Sequence, residues 1–187
     1  MFVVVYDACV LCPAPLRDFL LHLATTDLFA ARWTGQIHEE WIRNLLENRS
    51  DLSRDKLERT RAAMDGAIPD CLVIDYEPLI EGLSLPDPND RHVLAAAIKA
   101  GAQLIVTFNL KDFPASILEP FGIEALHPDV FAEHQMTLHE GSVVSTVKNQ
   151  RSLLSRPSIT ADQLLETLAA NGLVVTAERL AEFKDVI

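Results

Sequence analysis

The chain has 187 residues, 49% of them hydrophobic, which is enough for the packed core of one domain with an extension. Its formal net charge of −11 argues against a general nucleic-acid coat protein, since phosphate binding normally leaves a basic surface. The first apolar run, residues 1–6, is too short for a signal peptide and no run approaches a membrane span of roughly 20 residues, so we expect a soluble cytoplasmic protein.

The first part of the chain alternates between strand and helix patterns. Residues 2–6 form a continuous β-prone run, which is typical of a strand buried on both faces of a parallel sheet. An amphipathic helix is expected after Pro13, and a second helix after Gly35. Ser53 can cap a third, highly charged helix over about residues 54–64.

The alternation continues to residue 127. Three further strands are predicted, at residues 71–74, 103–107 and 122–126. Helices are expected between them, at residues 78–83, 92–100 and 111–119, with Gly101 ending the second of these. Strands that alternate with helices predict an α/β fold with a parallel sheet flanked by helices.

The sequence changes in character after Pro128. About three helices are predicted and no strand pattern compares with those of the first half. Thr160 begins a plausible capping box with Gln163, and Thr176 is another candidate cap. We therefore divide the chain into a sheet-containing domain, residues 1–128, and a helical C-terminal extension, residues 129–187.

The three cysteines are best explained as buried or half-buried free thiols. Cys9 and Cys12 have the C-x-x-C spacing, but a structural zinc site would need a second pair of ligands, and none exists. A redox role would require a thioredoxin-like setting. For Cys9, Cys12 and Cys71 we therefore predict a packing role.

Two carboxylates follow predicted strands. Asp7 comes directly after the first strand, and Asp112 lies in the loop after the strand at 103–107. Ligands of parallel α/β sheets bind outside the carboxyl ends of the strands, so both acids are expected at one sheet edge. Asp90 lies in the first turn of the helix that leads into the strand at 103–107, if Asp87 is the N-cap of that helix. From position alone, capping explains either residue better than metal binding does.

Acids gathered at one edge repel one another unless a cation lies among them. Oxygen ligands suit Mg²⁺ or Mn²⁺, and phosphodiester hydrolysis is the reaction most often built in this way. Residues 32–61 contain seven basic residues against six acidic ones, so this stretch is the candidate surface for an RNA backbone.

Three segments surround the acids named above: residues 5–11, V-Y-D-A-C-V-L, residues 87–97, D-P-N-D-R-H-V-L-A-A-A, and residues 105–113, I-V-T-F-N-L-K-D-F. In this order they resemble the opening strand with the first acid, the helix of the third acid and the closing segment of the PIN-domain nucleases. The resemblance is strongest to the VapC toxins of bacterial toxin–antitoxin pairs. The resemblance covers about residues 2–127.

The resemblance implies a Mg²⁺- or Mn²⁺-dependent endoribonuclease whose four acids are Asp7, Glu40, Asp90 and Asp112. Asp7, Asp90 and Asp112 are the implied metal ligands. Glu40 is chosen over Glu39 only because the family pattern places a Glu directly before W-I-R-N-L. The resemblance also implies an RNA substrate, homodimerisation and inhibition by a cognate antitoxin.

Other functions fit the sequence less well. A catalytically inactive PIN-fold module that binds RNA or acts as a scaffold would lack an acid, and none is clearly missing. A phosphotransferase of the haloacid-dehalogenase type would need an Asp where this chain has Cys9. A dinucleotide-binding fold would need a Gly-rich loop after the first strand. Thr107 and Asn109 either orient the acids or simply form the turn, and His92 is expected to be an ordinary helix histidine.

Overall fold

The computed structural model describes residues 1–154 and 157–187, and the chain divides into two compact units. Unit 1 consists of Met1–Cys12 and Phe29–His127, and unit 2 consists of Pro13–Leu28 and Pro128–Ile187. Packing thus assigns residues 13–28 to the second unit. The two domains predicted from the sequence, residues 1–128 and 129–187, remain a prediction.

Unit 1 contains the parallel sheet that the sequence predicts. In the described part of this unit it has four strands in the order β2-β1-β3-β4, namely β1 (Val3–Tyr6), β2 (Ala30–Arg32), β3 (Leu104–Val106) and β4 (Glu124–Leu126). All three strand pairs are parallel, with Val5 opposite Arg32 on one side and Ile105 on the other. The α/β prediction is therefore confirmed.

The two central strands are buried because their residues are almost all apolar. Val4, Val5 and Tyr6 of β1 are fully buried, as are Ile105 and Val106 of β3. A strand covered on both faces gains from burying every side chain, and this explains the continuous runs of β-branched residues. Both central strands end at the same edge of the sheet.

The helices lie close to their predicted positions. In the described ranges they are α1 (Ala8–Leu11), α2 (Ala14–Ala24), α3 (Gly35–Asn48), α4 (Arg54–Ala67), α5 (Glu77–Ile80), α6 (Arg91–Ala100), α7 (Ala115–Leu118), α8 (Pro128–Leu153), α9 (Ala161–Ala170) and α10 (Val174–Leu180). Ser53 caps α4, and Gly101 ends α6 with a φ of 61°. None of these helices is long and apolar enough to cross a membrane.

The predicted strand at residues 71–74 is wrong. This segment forms a single parallel bridge, between Leu72 and Trp33, the residue that directly follows β2. Cys71 and Val73 are buried, whereas Leu72 is 43% and Ile74 is 68% exposed. One face of the segment is therefore covered, and an apolar run alone does not reveal that the other is in water.

Two further local predictions differ from the structure. The helix expected at residues 111–119 is divided into a 3₁₀ turn, Leu110–Asp112, and the short α7. Phe113 precedes Pro114, and the proline ring disfavours helical geometry at the residue before it. Strand β2 was not predicted, because its three residues, Ala-Ala-Arg, have no strand pattern.

Unit 2 is helical and contains α2, α8, α9 and α10. About three helices were predicted after Pro128, and the described residues contain α8, which is kinked at His139, α9 and α10. The capping box of Thr160 with Gln163 is confirmed. Thr176 does not cap a helix. It lies inside α10, where Asp129 accepts hydrogen bonds from its backbone N–H at 2.9 Å and its hydroxyl at 2.6 Å. The cap comes from a distant carboxylate, which local sequence does not show.

Candidate active site

Asp7 lies directly after β1, at the N-cap position of α1. Its backbone N–H donates to the carbonyl of Val106 at 3.1 Å, so Asp7 is fixed beside the end of β3. Its side chain is buried, and Oδ2 accepts hydrogen bonds from the Thr107 hydroxyl at 2.6 Å and the Cys9 thiol at 3.0 Å. The sheet itself therefore sets the position of this carboxylate.

The electrostatic environment of Asp7 contains opposing effects. Burial raises its pKa, the bonds from Cys9 and Thr107 lower it, and the negative charge of Glu40 raises it again. The net result is that the pKa of Asp7 is raised. The pKa of the Cys9 thiol is also raised well above its usual value, by burial first and then by the charge of Asp7. Cys9 is therefore a protonated donor at neutral pH.

Asp90 and Asp87 have different roles in the turn before α6. Asp87 caps the 3₁₀ turn Pro88–Asp90, because its carboxylate accepts the backbone N–H of Asn89 at 2.8 Å. Asp90 occupies the N-cap position of α6 but its side chain makes no capping bond. Its Oδ2 is buried and has no hydrogen-bond partner in the described part of the chain. Capping therefore explains the position of the Asp87 side chain but does not explain that of the Asp90 side chain.

The pKa of Asp90 shows that the predicted acids share one electrostatic environment. Burial raises this pKa to about 7, together with the charges of Asp7, Asp87, Glu40 and Asp112, in that order. Each of the other three predicted acids thus acts on the ionisation of Asp90. Asp112 is half-buried at the end of its 3₁₀ turn, and its negative charge raises the pKa of Asp90.

The two neighbouring glutamates of α3 have different partners. Glu40 accepts a hydrogen bond from His92 Nε2 of α6 at 3.2 Å, and its side chain is 27% exposed. Because a carboxylate at neutral pH can only accept, Nε2 carries the hydrogen in this pair. Glu39 instead forms an exposed ion pair with Arg54. Glu40 is therefore the glutamate whose charge acts on Asp7 and Asp90.

A buried network holds the helix that carries Glu40. His38 Nε2 and Trp33 Nε1 both bond to Asp65 Oδ1 of α4 at 2.8 Å, and Trp41 Nε1 donates to His38 Nδ1 at 2.9 Å. Burial lowers the pKa of His38, which is consistent with Nδ1 acting as an acceptor. The first turns of α3 are thereby tied to α4.

A polar cleft of about 420 Å³ opens beside these acids. It is lined by Gln36, Glu39, Glu40, Arg43, Asp87, Asn89, Asp90, His92 and Asn109. Asp7 and Asp112 are not among the lining residues, so the structure brings Glu40 and Asp90 to the cleft surface. Asp7 and Asp112 act on Asp90 through their charge.

Arg43 is the only arginine in this lining. Arg49, Arg54 and Arg61, which lie in the basic stretch 32–61, are each paired with an acid. Within residues 1–154 and 157–187, Arg43 forms no such pair. It is therefore the cation of that stretch best placed to meet an anionic ligand in the cleft.

The donor chemistry fits a hard divalent cation. The acids supply only oxygen, and the buried Oδ2 of Asp90 has no hydrogen-bond partner among the described residues, so its charge would be balanced by a cation. In the same part of the chain, no group of three or more acids, cysteines or histidines is already arranged to hold a metal ion. Mg²⁺ usually keeps several waters and binds through one or two carboxylates, so a three-residue cage is not required.

Sequence reasoning missed the roles of Cys9 and His92. Both were interpreted as ordinary residues, yet the Cys9 thiol contacts Asp7 and Thr107, and His92 bonds to Glu40. Each lies two residues after a predicted acid, at the start of a helical turn. That spacing is the signal that was available. The prediction of free thiols for Cys9, Cys12 and Cys71 is confirmed.

Comparison with known proteins supports the resemblance over the first part of the chain and adds a match over the second part. The family profile described as “PIN domain” matches residues 3–111, and the one described as “VapC50 C-terminal domain” matches residues 128–182. The chain is 43% identical over 79 residues to “Putative ribonuclease VapC50” of Mycobacterium tuberculosis (strain ATCC 25618 / H37Rv). This alignment covers 42% of the chain and 47% of that relative, about half its length. No solved structure gives a significant match.

Proposed function

Because the chain belongs to the PIN domain family, we propose that it is a Mg²⁺- or Mn²⁺-dependent endoribonuclease that hydrolyses RNA phosphodiester bonds. The proposed site consists of Asp7, Glu40, Asp90 and Asp112. The observation that carries this proposal is the environment of Asp90. Its Oδ2 is buried and has no hydrogen-bond partner among the described residues, and its pKa is raised by burial and then by the charges of neighbouring acids, which include the other three. A bound cation would relieve this repulsion.

Asp7, Asp90 and Asp112 are the residues that would hold the metal ion. Such an ion lowers the pKa of a water molecule and neutralises charge on the phosphate that is attacked. Around neutral pH the protonation of Asp90 competes with its use as a ligand, because its pKa without metal is about 7. Thr107 and Cys9 hold the carboxylate of Asp7 through its Oδ2.

Glu40 is the proposed acid that faces the substrate from α3. His92 holds its carboxylate from α6, so the two helices fix its position across the cleft. Arg43 lies one helical turn further along α3 and lines the same cleft. We assign it to a phosphate group of the RNA, which matches the basic stretch predicted from the sequence. Cleavage by water leaves 5′-phosphate and 3′-hydroxyl ends.

The biological role proposed is that of the toxin in a toxin–antitoxin pair. Support comes from the relative named “Putative ribonuclease VapC50” and from the profile match over residues 128–182. A cognate antitoxin protein, a homodimeric state and a cytoplasmic location are parts of the same proposal.

Expression in bacteria, with and without the neighbouring reading frame, tests this proposal. We expect wild-type protein to arrest growth, the neighbouring gene to relieve the arrest, and Asp90→Ala to cause none. Equal amounts of folded protein must be shown by immunoblot and gel filtration, which also reports the oligomeric state. Arrest that persists in Asp90→Ala would contradict the proposal.

A further inference from the structure

Cys9 makes three contacts at the point where the two central strands of the sheet end. Its thiol donates to Asp7 Oδ2 at 3.0 Å, and its sulfur lies 3.4 Å from the hydroxyl oxygen of Thr107. The same sulfur accepts the backbone N–H of Phe108 at 3.3 Å. One side chain from α1 thus joins the carboxylate after β1 to the loop after β3.

These contacts are more specific than packing requires. A small apolar residue would fill the same space, but it would leave the Phe108 N–H without this acceptor and Asp7 with one donor fewer. Buried polar groups that lose a partner are costly, so the contacts have a direct effect on the loop and on the carboxylate. The loop from Thr107 leads through Asn109 to Asp112.

We propose that Cys9 is a positioning residue of the active site, which fixes the Asp7 carboxylate against the loop that carries Asp112. This inference rests on the proposed ribonuclease function and extends it to a residue outside the four acids. Cys9 acts through Asp7 and Phe108, not on the RNA itself. A displaced Asp7 would slow the chemical step and leave RNA binding in the cleft unaffected.

The kinetic test compares Cys9→Ala, Cys9→Ser and Cys12→Ala in RNA cleavage. We expect Cys9→Ala to lower kcat roughly tenfold with little change in KM, because substrate contacts are kept. Cys9→Ser should recover most of this loss, since a hydroxyl both donates and accepts. Cys12 provides the matched control, because it is a second cysteine of the same region and its thiol contacts the carbonyl of Trp41, at 3.9 Å, and not an acid of the proposed site. Full kcat in Cys9→Ala, or no recovery in Cys9→Ser, would overturn the proposal.

A spectroscopic readout keeps the inference testable even if Cys9→Ala fails to fold or the wild type cleaves no RNA. The S–H stretching band of Cys9 is identified by its loss in Cys9→Ser and recorded by infrared spectroscopy. We expect this band at a lower frequency than that of an unbonded thiol, and a shift in Asp7→Asn. A shifted band without RNA cleavage would contradict the ribonuclease proposal while leaving the contact intact. An unshifted band would exclude the contact and with it the positioning role.

Discussion

The hydroxyl of Thr107 donates to Oδ2 of Asp7 at 2.6 Å, across 100 residues of sequence. The two residues follow β1 and β3, which are neighbouring strands in the centre of the sheet. Thr107 Oγ1 also accepts the backbone N–H of Asn109 at 2.9 Å. The first acid of the proposed site and the loop that leads to its last acid are therefore joined by one side chain.

Replacing this hydroxyl tests its role. Thr107→Val keeps the shape but removes the donor, so the buried carboxylate of Asp7 loses a charge-assisted bond. We expect a loss of about 1–3 kcal/mol in the free energy of unfolding and a roughly ten- to hundredfold loss of RNA cleavage. Thr107→Ser should retain most of both. Urea unfolding and cleavage rates provide the measurements, and wild-type activity in Thr107→Val would contradict this role.

The raised pKa of Asp90 predicts how stability depends on pH without metal. In the folded protein this pKa is about 7, against an ordinary value of 3.8, so the folded state binds more protons between these values. The contribution of Asp90 to stability is therefore complete below the ordinary pKa and is lost as the pH rises through about 7. Asp90→Asn removes the ionisation and should be more stable than wild type at pH 8, by about 1–2 kcal/mol after allowance for solvent screening.

Urea unfolding of both proteins between pH 4 and pH 8, in the presence of a chelator, measures this difference. Asp162→Asn is the control, because the side chain of Asp162 is 68% exposed and distant in sequence from the site. Parallel pH profiles for wild type and Asp90→Asn would show that the charge repulsion around Asp90 is absent.

The two adjacent glutamates of α3 provide a matched pair for testing the choice of Glu40. Glu40→Gln removes a negative charge beside Asp90 and weakens the bond with His92, and we expect RNA cleavage to fall about a hundredfold. Glu39→Gln breaks only an exposed ion pair with Arg54, so its effect should stay within about threefold. Initial cleavage rates at saturating metal measure both. The reverse order of effects would show that Glu39 is the acid of the site.

The position of Arg43 in the cleft lining leads to a prediction about how RNA binding depends on salt. Each phosphate contact contributes about 0.7 to the slope of log affinity against log salt for a single strand, so Arg43→Gln should reduce the slope by about that amount. Binding is measured on the Asp90→Asn background, where no cleavage is expected. Arg49→Gln serves as the control, since Arg49 is paired with Asp51 and lies outside the cleft lining. An unchanged slope in Arg43→Gln would remove Arg43 from the binding surface.

Much of the fold follows from local sequence patterns. The apolar runs of β1 and β3 identify the centre of the sheet, and parallel geometry places Asp7 and Asp112 at one edge without reference to any family. Residues 71–74 misled the prediction because an apolar run does not show which side chains face water. Strand β2 was missed because three residues are too few for a pattern.

The site was less predictable than the fold, because its contacts join distant parts of the chain. Local sequence allowed either Asp87 or Asp90 to cap the helix, and only the structure shows that Asp87 takes the backbone N–H of Asn89. The choice between Glu39 and Glu40 depends on which helix lies opposite, and their partners are Arg54 and His92. The role of Cys9 was hard to predict for the same reason, since its contacts with Thr107 and Phe108 join residues about 100 positions apart.

The central claim is that the acids around Asp90 form a metal-dependent site for RNA cleavage. Its most direct test is the incubation of purified wild-type protein and Asp90→Asn with a labelled RNA, with Mg²⁺, with Mn²⁺ and with a chelator. The claim predicts cleavage by wild type only when metal is present, products with 5′-phosphate and 3′-hydroxyl ends, and no cleavage by folded Asp90→Asn. Cleavage that persists in the chelator, or in Asp90→Asn at the wild-type rate, would contradict it.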